Sequence, residues 1–288
     1  MNVESLHGEF GARISNCNVG PEMPDSDIRK LEHAINEYSL LVLPGQSLDD
    51  ERHLGFTCRF GDAEEEHVAY YSRGEITYIG KVGNIDDQGN QLKTINTRVK
   101  YQTGNEMWHS DSSFRENPSL YSILYAYEVP DEGGATAFAS CRSAYDRLDD
   151  TKKNEIESLV GIHDYIFSRT KIGEDAVNAG QRTHMYPVRN RLVRKNPANG
   201  RKNFFIGSHV RDIEGWKHEE AQQLLQALLA EATRPQSVYT HHWAAGDLLI
   251  WDNRCILHRG CGYDADRYRR RMHQTRVRGR GPTLTEEI

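Results

Sequence analysis

Apolar residues recur at helical spacing near the start of the chain. The recurring positions are Ile28, Leu31, Ile35 and Tyr38. This period predicts an amphipathic helix, and acidic residues at its start predict that the helix begins near Asp25. An unbroken apolar run at residues 40–43 predicts a buried strand, and residues 49–56 predict a second short helix that ends at residues 59–61.

The segment from residue 63 to residue 105 is mostly polar, with isolated strand signals such as residues 76–80. A long polar segment without a regular apolar period is typical either of a mobile lid over a binding site or of an ordinary surface loop. If the segment is a lid, the substrate site lies beneath it.

Short strands predominate in the rest of the chain. Strand patterns are found around His109 and at residues 121–127, 135–139, 204–206, 237–242, 248–251, 256–258 and 270–277. Helical patterns are found at residues 143–148, 151–159 and 219–232. Many short strands with glycine turns are typical of a jelly-roll barrel, so we predict a mostly β fold with flanking helices. No repeat or linker divides residues 1–288, which predicts a single domain.

The composition is that of an ordinary soluble protein. Hydrophobic residues make up 37% of the chain and the formal net charge is −6, so we expect no nucleic-acid partner. No apolar run reaches the ~18 residues of a membrane span, and the first residues lack the pattern of a secretion signal, so we expect a cytoplasmic protein without a membrane partner. Five cysteines without a C-x-x-C pair favour free thiols over disulfides or a zinc site.

The strongest chemical signal is a pair of metal-ligating residue types with a third far downstream. His109 and Asp111 are two positions apart, so on a strand they face the same side, and His258 follows a short apolar strand just before a glycine. Two imidazoles and one carboxylate on one face of an octahedron are the arrangement of non-haem Fe(II) oxygenases. The H-x-D spacing alone is weak, because it is common by chance.

Two further residues strengthen this interpretation. Thr136 ends the sequence Gly133-Gly134-Ala135-Thr136, and Arg270 lies in the arginine-rich strand after His258. A co-substrate with a carboxylate at its far end is held well by a hydroxyl donor together with a guanidinium, which forms a planar bidentate pair. Thr136 and Arg270 supply both groups.

With these motifs in this order, the sequence resembles the taurine and 2,4-dichlorophenoxyacetate dioxygenase family of Fe(II)/2-oxoglutarate enzymes over nearly its whole length. The resemblance implies a double-stranded β-helix form of the jelly roll. It implies that His109, Asp111 and His258 bind Fe(II), with O2 and 2-oxoglutarate as co-substrates. It implies that Thr136 and Arg270 hold the distal carboxylate of 2-oxoglutarate and that Trp251 packs beside it. The usual spacing from the distal His would select Arg269, whereas the R-x-M pattern aligns Arg270.

The chain departs from the family pattern at Gln274. Enzymes that resemble it carry a second arginine there, which binds the sulfonate or carboxylate of the substrate. Period-two alternation puts Arg270, Gln274 and Arg276 on one face. Either the substrate has no anion at this point, or its acid is held by Arg276, by Arg169 or by a residue of the 63–105 segment. Alternatively, Arg276 is only a solvated residue at the strand end.

Several other polar residues are candidates for the substrate pocket. Tyr70, Tyr71 and Asn105 lie in or at the edge of the lid-like segment, and His209 follows a predicted strand. His163 is a further candidate. Of the neighbours His241 and His242, one points inward by alternation, as a core group rather than a ligand.

The resemblance implies hydroxylation of a C–H bond of a small organic substrate, with release of succinate and CO2. If the attacked carbon carries an ether, sulfonate or sulfate oxygen, the hydroxylated product is cleaved. The alternatives are desaturation or cyclisation by the same cofactor chemistry, or a metal-binding barrel without turnover. The sequence is compatible with a homo-oligomer.

Overall fold

The structure is a computed structural model that describes residues 1–67, 74 and 76–287. These residues form fifteen strands, with eight α-helices on the outside. The helices are α1 (Asp25–Tyr38), α2 (Asp50–Thr57), α3 (Thr97–Gln102), α4 (Cys141–Arg147), α5 (Asp150–Ile156), α6 (Tyr165–Thr170), α7 (Ala179–His184) and α8 (His218–Ala232).

The strands belong to one large sheet and three small ones. They are β1 (Asn2–Ser5), β2 (Ala12–Ser15), β3 (Leu40–Leu43), β4 (Gly80–Gly83), β5 (Tyr121–Glu128), β6 (Thr136–Ser140), β7 (Val160–His163), β8 (Val188–Arg191), β9 (Val193–Lys195), β10 (Lys202–Phe204), β11 (Val210–Ile213), β12 (Val238–His241), β13 (Leu248–Asp252), β14 (Ile256–Gly260) and β15 (Arg271–Val277). The large sheet has the order β1-β2-β3-β13-β5-β15-β4, and a three-stranded sheet has the order β12-β6-β14.

The large sheet and the β12-β6-β14 sheet face each other across an apolar core. Leu249 and Trp251 of β13 lie in this core together with Phe138 of β6. Ile250, between them in sequence, lies in a different core with Leu31 of α1. Because successive side chains of a strand point to opposite faces, β13 separates the inner core from the layer covered by α1.

The outer face of the β12-β6-β14 sheet is covered by helices. Ala139 of β6 and Leu257 of β14 pack in one cluster with Leu225 of α8 and Ala144 of α4. Helices thus flank both faces of the paired sheets. None of the helices formed by the described residues has both the length and the apolar character of a membrane span.

Local sequence signals account for the first two helices. Leu31 and Ile35, two residues of the apolar pattern that predicted α1, are completely buried. The helix ends at Ser39, whose φ of 65° is left-handed. Helix α2 begins after Asp49, whose carboxylate accepts a hydrogen bond from the Arg52 backbone N–H at 2.8 Å. The predicted positions of both helices and of the buried strand β3 are therefore confirmed.

Two predicted strands are wrong. The strand predicted at residues 76–80 begins too early in the sequence. The strand in this segment is Gly80–Gly83, because these residues can pair through their backbone with Gln274 and its neighbours. Around His109 there is only an isolated bridge to His258 instead of a strand. The described strands also form separate sheets rather than a closed barrel.

All five cysteines are free thiols, as predicted.

We expect Ile250→Ala to lower the free energy of unfolding by about 2–5 kcal/mol, because Ile250 is 1% exposed and its loss leaves a cavity in the core under α1. Val3→Ala is the matched control, since Val3 is 49% exposed, and it should change stability by no more than about 0.5 kcal/mol. Denaturant unfolding of both variants measures the difference. Similar values for the two would contradict the assignment of this core.

Candidate metal centre and adjoining cavities

Among the described residues, His109, Asp111 and His258 form a cluster whose ligand atoms all lie within 4.8 Å of one another. His109 Nε2 is 3.9 Å from Asp111 Oδ1, and His258 Nε2 is 3.7 Å from Asp111 Oδ2. His258 lies on β14, and its backbone exchanges two hydrogen bonds with His109, of 3.0 and 2.9 Å. The structure therefore brings the three predicted ligands together with two nitrogens and one carboxylate directed at one point.

The chain turns sharply after His109, and this turn directs Asp111 back to the histidines. Ser112 has a left-handed φ of 52°. The side chain of Ser110 donates to the Asn253 carbonyl oxygen at 2.6 Å, and the Asp111 N–H donates to Asn253 Oδ1 at 3.3 Å. A Cβ on Gly207 would lie 3.1 Å from the His109 Cα, so a glycine there leaves room for the turn.

Three polar side chains orient the Asp111 carboxylate. Ser122 Oγ donates to Oδ2 at 2.6 Å, and Gln274 Nε2 donates to the same oxygen at 2.7 Å. Asn253 Nδ2 donates to Ser122 Oγ at 2.8 Å. Sequence reasoning missed Ser122 and Asn253. A polar residue within the apolar strand that contains Ser122 is the signal that could have identified it.

Burial keeps the histidines neutral, which is the form that binds a metal. Desolvation, together with the neighbouring His109, lowers the pKa of His258 to about 3. Desolvation also lowers the pKa of His109, whose Nδ1 lies 2.7 Å from the Met107 carbonyl oxygen and therefore carries the hydrogen, leaving Nε2 as the free lone pair. Burial would raise the pKa of Asp111, but His258, Arg276 and other neighbours lower it to about 2.

A cavity of about 170 Å³ adjoins the cluster and contains the residues predicted to bind the co-substrate. Thr136, Trp251 and Arg270 line it, together with His258. Trp243 Nε1 donates to Thr136 Oγ1 at 2.9 Å, so the Thr136 hydroxyl hydrogen is left to donate elsewhere. The cavity thus offers one hydroxyl donor and one guanidinium beside the three predicted ligands.

The Arg270 guanidinium is buried without a carboxylate partner among the described residues. Arg270 is 7% exposed, and its Nε is buried without a hydrogen-bond acceptor. Desolvation lowers its pKa to about 10, so the side chain keeps its charge at neutral pH. Arg269 is exposed instead, and its Nε lies 2.8 Å from Glu128 Oε2. Of the two arginines, Arg270 is the one that faces the cavity.

A larger cavity of about 690 Å³ opens onto His109 and Asp111 from another side. The predicted substrate residues that line it are Asn105, His209, Gln274 and Arg276. Much of its wall comes from the predicted lid segment, including Glu66, Thr77, Lys81, Arg98 and Tyr101. The candidates Tyr70 and Tyr71 lie outside the described residues.

Gln274 and Arg276 point inward from β15, as the alternation predicted. Arg276 is 7% exposed, so the alternative of a solvated strand-end residue is wrong. Its Nε lies 3.2 Å from Glu64 Oε1 and its Nη2 3.8 Å from Glu66 Oε1, and its Nη1 donates to Gln274 Oε1 at 3.1 Å. The charge of Arg276 is therefore already compensated inside the protein, a partnership that the sequence did not indicate.

Two other histidines are core groups. His163 stacks on Phe205, with ring centroids 5.1 Å apart, and does not line the larger cavity. His241 is the inward member of its pair, with Nε2 3.0 Å from Asp247 Oδ2, whereas His242 is exposed. The prediction that one of these two neighbours points inward is confirmed.

Comparison with known proteins identifies similar chains of nearly the same length. A family model described as "Taurine catabolism dioxygenase TauD, TfdA family" matches residues 2–276. The alpha-ketoglutarate-dependent 2,4-dichlorophenoxyacetate dioxygenase of Burkholderia sp. (strain RASC) is 35% identical over 283 residues, which cover 97% of this chain and 95% of that protein. The (S)-phenoxypropionate/alpha-ketoglutarate-dioxygenase of Sphingobium herbicidovorans is 34% identical over 97% of this chain and 95% of its own length.

A solved structure is similar throughout. The crystal structure of AAD-2 in complex with Mn(II) and N-oxalylglycine superimposes with a TM-score of 0.89 at 34% identity, and the match covers 98% of this chain and 100% of that chain.

We expect Gln274→Leu to weaken Mn(II) binding by about 10- to 100-fold, because Asp111 loses a hydrogen bond that orients its carboxylate. Gln222→Leu is the control, since it also removes one amide hydrogen bond, to the Arg211 carbonyl oxygen, and Gln222 lines neither cavity. Equilibrium metal titration of both variants measures the difference. Unchanged affinity in Gln274→Leu would show that this contact does not support the metal ligands.

Proposed function

Because the chain belongs to the TauD, TfdA family and is therefore an Fe(II)- and 2-oxoglutarate-dependent dioxygenase, we propose that it hydroxylates a C–H bond of a small organic substrate. Succinate and CO2 are the products of the co-substrate. The chain acts as one dioxygenase domain over residues 1–288, and its two facing sheets are the walls of a double-stranded β-helix. Membership of an enzyme family disfavours the alternative of a metal-binding barrel without turnover.

His109, Asp111 and His258 hold the iron. The residues present fit such an ion, because two neutral imidazole nitrogens and one carboxylate, the donor set that suits Fe(II), converge on one point. Bound Fe(II) supplies O2 activation coupled to oxidative decarboxylation of 2-oxoglutarate. Asn253, through Ser122, keeps the Asp111 carboxylate in place during this chemistry.

The observation that carries this proposal is the buried guanidinium of Arg270 beside the metal ligands. A buried charge without a partner is costly, so an uncompensated arginine in a small cavity indicates an anionic ligand. The distal carboxylate of 2-oxoglutarate fits this requirement, with Arg270 as a bidentate donor and Thr136 as a second donor. Trp251, completely buried, forms an apolar wall that excludes water.

The substrate occupies the larger cavity, which reaches the same metal ligands from another side. Its volume of about 690 Å³ is within the range of small-molecule sites. The described residues of the 63–105 segment that line this cavity, such as Thr77 and Tyr101, act as its lid. Because two relatives are named for aryloxy acids, ethers of this kind are the first substrates to test, and hydroxylation next to the ether oxygen would cleave them.

The direct test is to incubate the purified protein with Fe(II), 2-oxoglutarate and a panel of candidate substrates and to measure succinate. Substrate-stimulated succinate is the expected result, and its absence across the panel would count against the proposal. Mass spectrometry of the organic product separates the reaction types. Hydroxylation adds one oxygen atom, which is found in the carbonyl fragment where an ether is cleaved, whereas desaturation or cyclisation removes two hydrogens.

Asp111→Ala should abolish succinate formation, because the metal loses its carboxylate ligand. The fold should persist, because Asp111 lies in a turn outside the apolar cores. Succinate assays and circular dichroism measure the two properties. Substantial turnover in the variant would remove Asp111 from the metal site.

Arg270→Ala should strongly raise the 2-oxoglutarate concentration needed for turnover, because losing one partner of a sheltered charge pair costs about 2–5 kcal/mol. Arg269→Ala is the matched control. Arg269 is exposed and pairs with Glu128, so its loss should leave this concentration nearly unchanged. Steady-state titration with 2-oxoglutarate separates the two variants. A large effect of Arg269→Ala and a small one of Arg270→Ala would reverse the assignment.

A further inference from the structure

We propose that Arg169 of α6 binds the acidic group of the substrate, in place of the arginine that β15 lacks at position 274. The proposal rests on the proposed function, because it concerns the cavity assigned there to the substrate. The ligand class is a small organic acid with an apolar body, and the acidic group is a carboxylate.

The Arg169 guanidinium is buried at the cavity wall and has few partners. The residue is 6% exposed and lines the larger cavity. Its Nη2 donates to Asn105 Oδ1 at 3.0 Å, whereas Nε and Nη1 are buried without a hydrogen-bond acceptor. No carboxylate within the described parts of the chain forms an ion pair with it. Two donors that a carboxylate could use, Nε and Nη1, therefore lack an acceptor.

Arg276 is the other buried arginine of this cavity, and it differs in its charge balance. Glu64 and Glu66 lie within ion-pair distance of Arg276, and Glu64 is itself 1% exposed. A substrate acid placed at Arg276 would compete with these fixed carboxylates and be repelled by them. Arg169 has no such competitors, so it is the stronger site for an anion.

Two aromatic rings hold the guanidinium in place. The Arg169 Cζ lies 4.7 Å from the centroid of the Tyr101 ring and 5.4 Å from that of Tyr165. Ring faces stabilise a cation but accept no in-plane hydrogen bonds, so the rings do not supply acceptors to Nε and Nη1 in the plane where a carboxylate makes bidentate contact. Tyr101 and Tyr165 also form an apolar cluster with Phe114, which suits the body of the same substrate.

The position of Arg169 is compatible with reaction at the metal centre. The preceding residue, Ser168, has its Oγ 2.7 Å from His209 Nδ1, and the His209 ring centroid is 6.1 Å from that of His109. Asn105, which accepts the Arg169 hydrogen bond, lines both cavities. An acid bound to Arg169 therefore lies near the metal ligands but approaches from α6, whereas Gln274 belongs to β15.

The experiment compares matched acids and neutral amides by calorimetry, using anaerobic protein loaded with Fe(II) and 2-oxoglutarate. The probes are phenoxyacetate with phenoxyacetamide, and hexanoate with hexanamide; phenylmethanesulfonate tests whether a sulfonate binds in place of the carboxylate. The wild-type protein should prefer the acid in at least one pair. Arg169→Met should weaken acid binding by about 30-fold or more and leave amide binding nearly unchanged.

Arg194→Met is the matched control, because Arg194 is also buried and over an aromatic ring but pairs with Glu286 away from the cavity. It should not alter the preference for acid over amide. Gly104→Ala is a second test that keeps the charge, since a Cβ on Gly104 would overlap Arg169 Nη1 and displace the guanidinium. It should reduce the same preference even if Arg169→Met fails to fold.

The proposal is overturned if wild-type protein shows no preference for any acid, or if the preference survives both Arg169→Met and Gly104→Ala. A sulfonate that binds more tightly than both carboxylates, and loses affinity in Arg169→Met, would keep the site but correct the acidic group. Succinate formation by the wild-type protein is measured separately. Its absence would reject the proposed function, whereas its presence without an effect of Arg169 rejects only this inference.

Discussion

The pair of backbone hydrogen bonds between His109 and His258 is the constraint on which the site depends. It joins a turn that follows the 63–105 segment to β14 of the β12-β6-β14 sheet, so two residues far apart in sequence present neighbouring imidazoles. Asn253, two residues beyond Trp251, then holds both the turn and the Ser122 hydroxyl that supports Asp111. A few hydrogen bonds at the edge of the inner core thus determine the ligand geometry.

The buried arginines differ in whether a neighbouring acceptor compensates their charge. Some buried arginines have internal acceptors: Arg194 pairs with Glu286, Arg254 with Asp252, Arg276 with Glu64, and Arg142 donates to the backbone carbonyls of Asn36 and Glu37. Arg270 and Arg169 line the two cavities without a carboxylate partner in the described parts of the chain. Each cavity is thus lined by a buried arginine without a carboxylate partner among the described residues, which is consistent with two anionic ligands that meet at one metal ion.

The sequence was sufficient for features that depend on residue type and local period. The spacing of Leu31 and Ile35 predicted α1, and the H-x-D motif with the distal His predicted a cluster that the structure brings together. The contacts of Gln274 and Arg276 could not be predicted, because Asp111 and Glu64 reach them through tertiary packing. The strand at residues 76–80 was misplaced for the same reason, since partner geometry rather than local propensity decides which residues pair with β15.

The most direct measurement is a crystal structure of the protein with Mn(II) and 2-oxoglutarate in the absence of O2. The account predicts one ion bound by His109 Nε2, His258 Nε2 and an Asp111 oxygen at about 2.0–2.2 Å, distances usual for such ligands on a comparable divalent ion. It also predicts that the distal carboxylate of 2-oxoglutarate contacts Arg270 and Thr136. An ion elsewhere, or a co-substrate directed away from Arg270, would contradict the account.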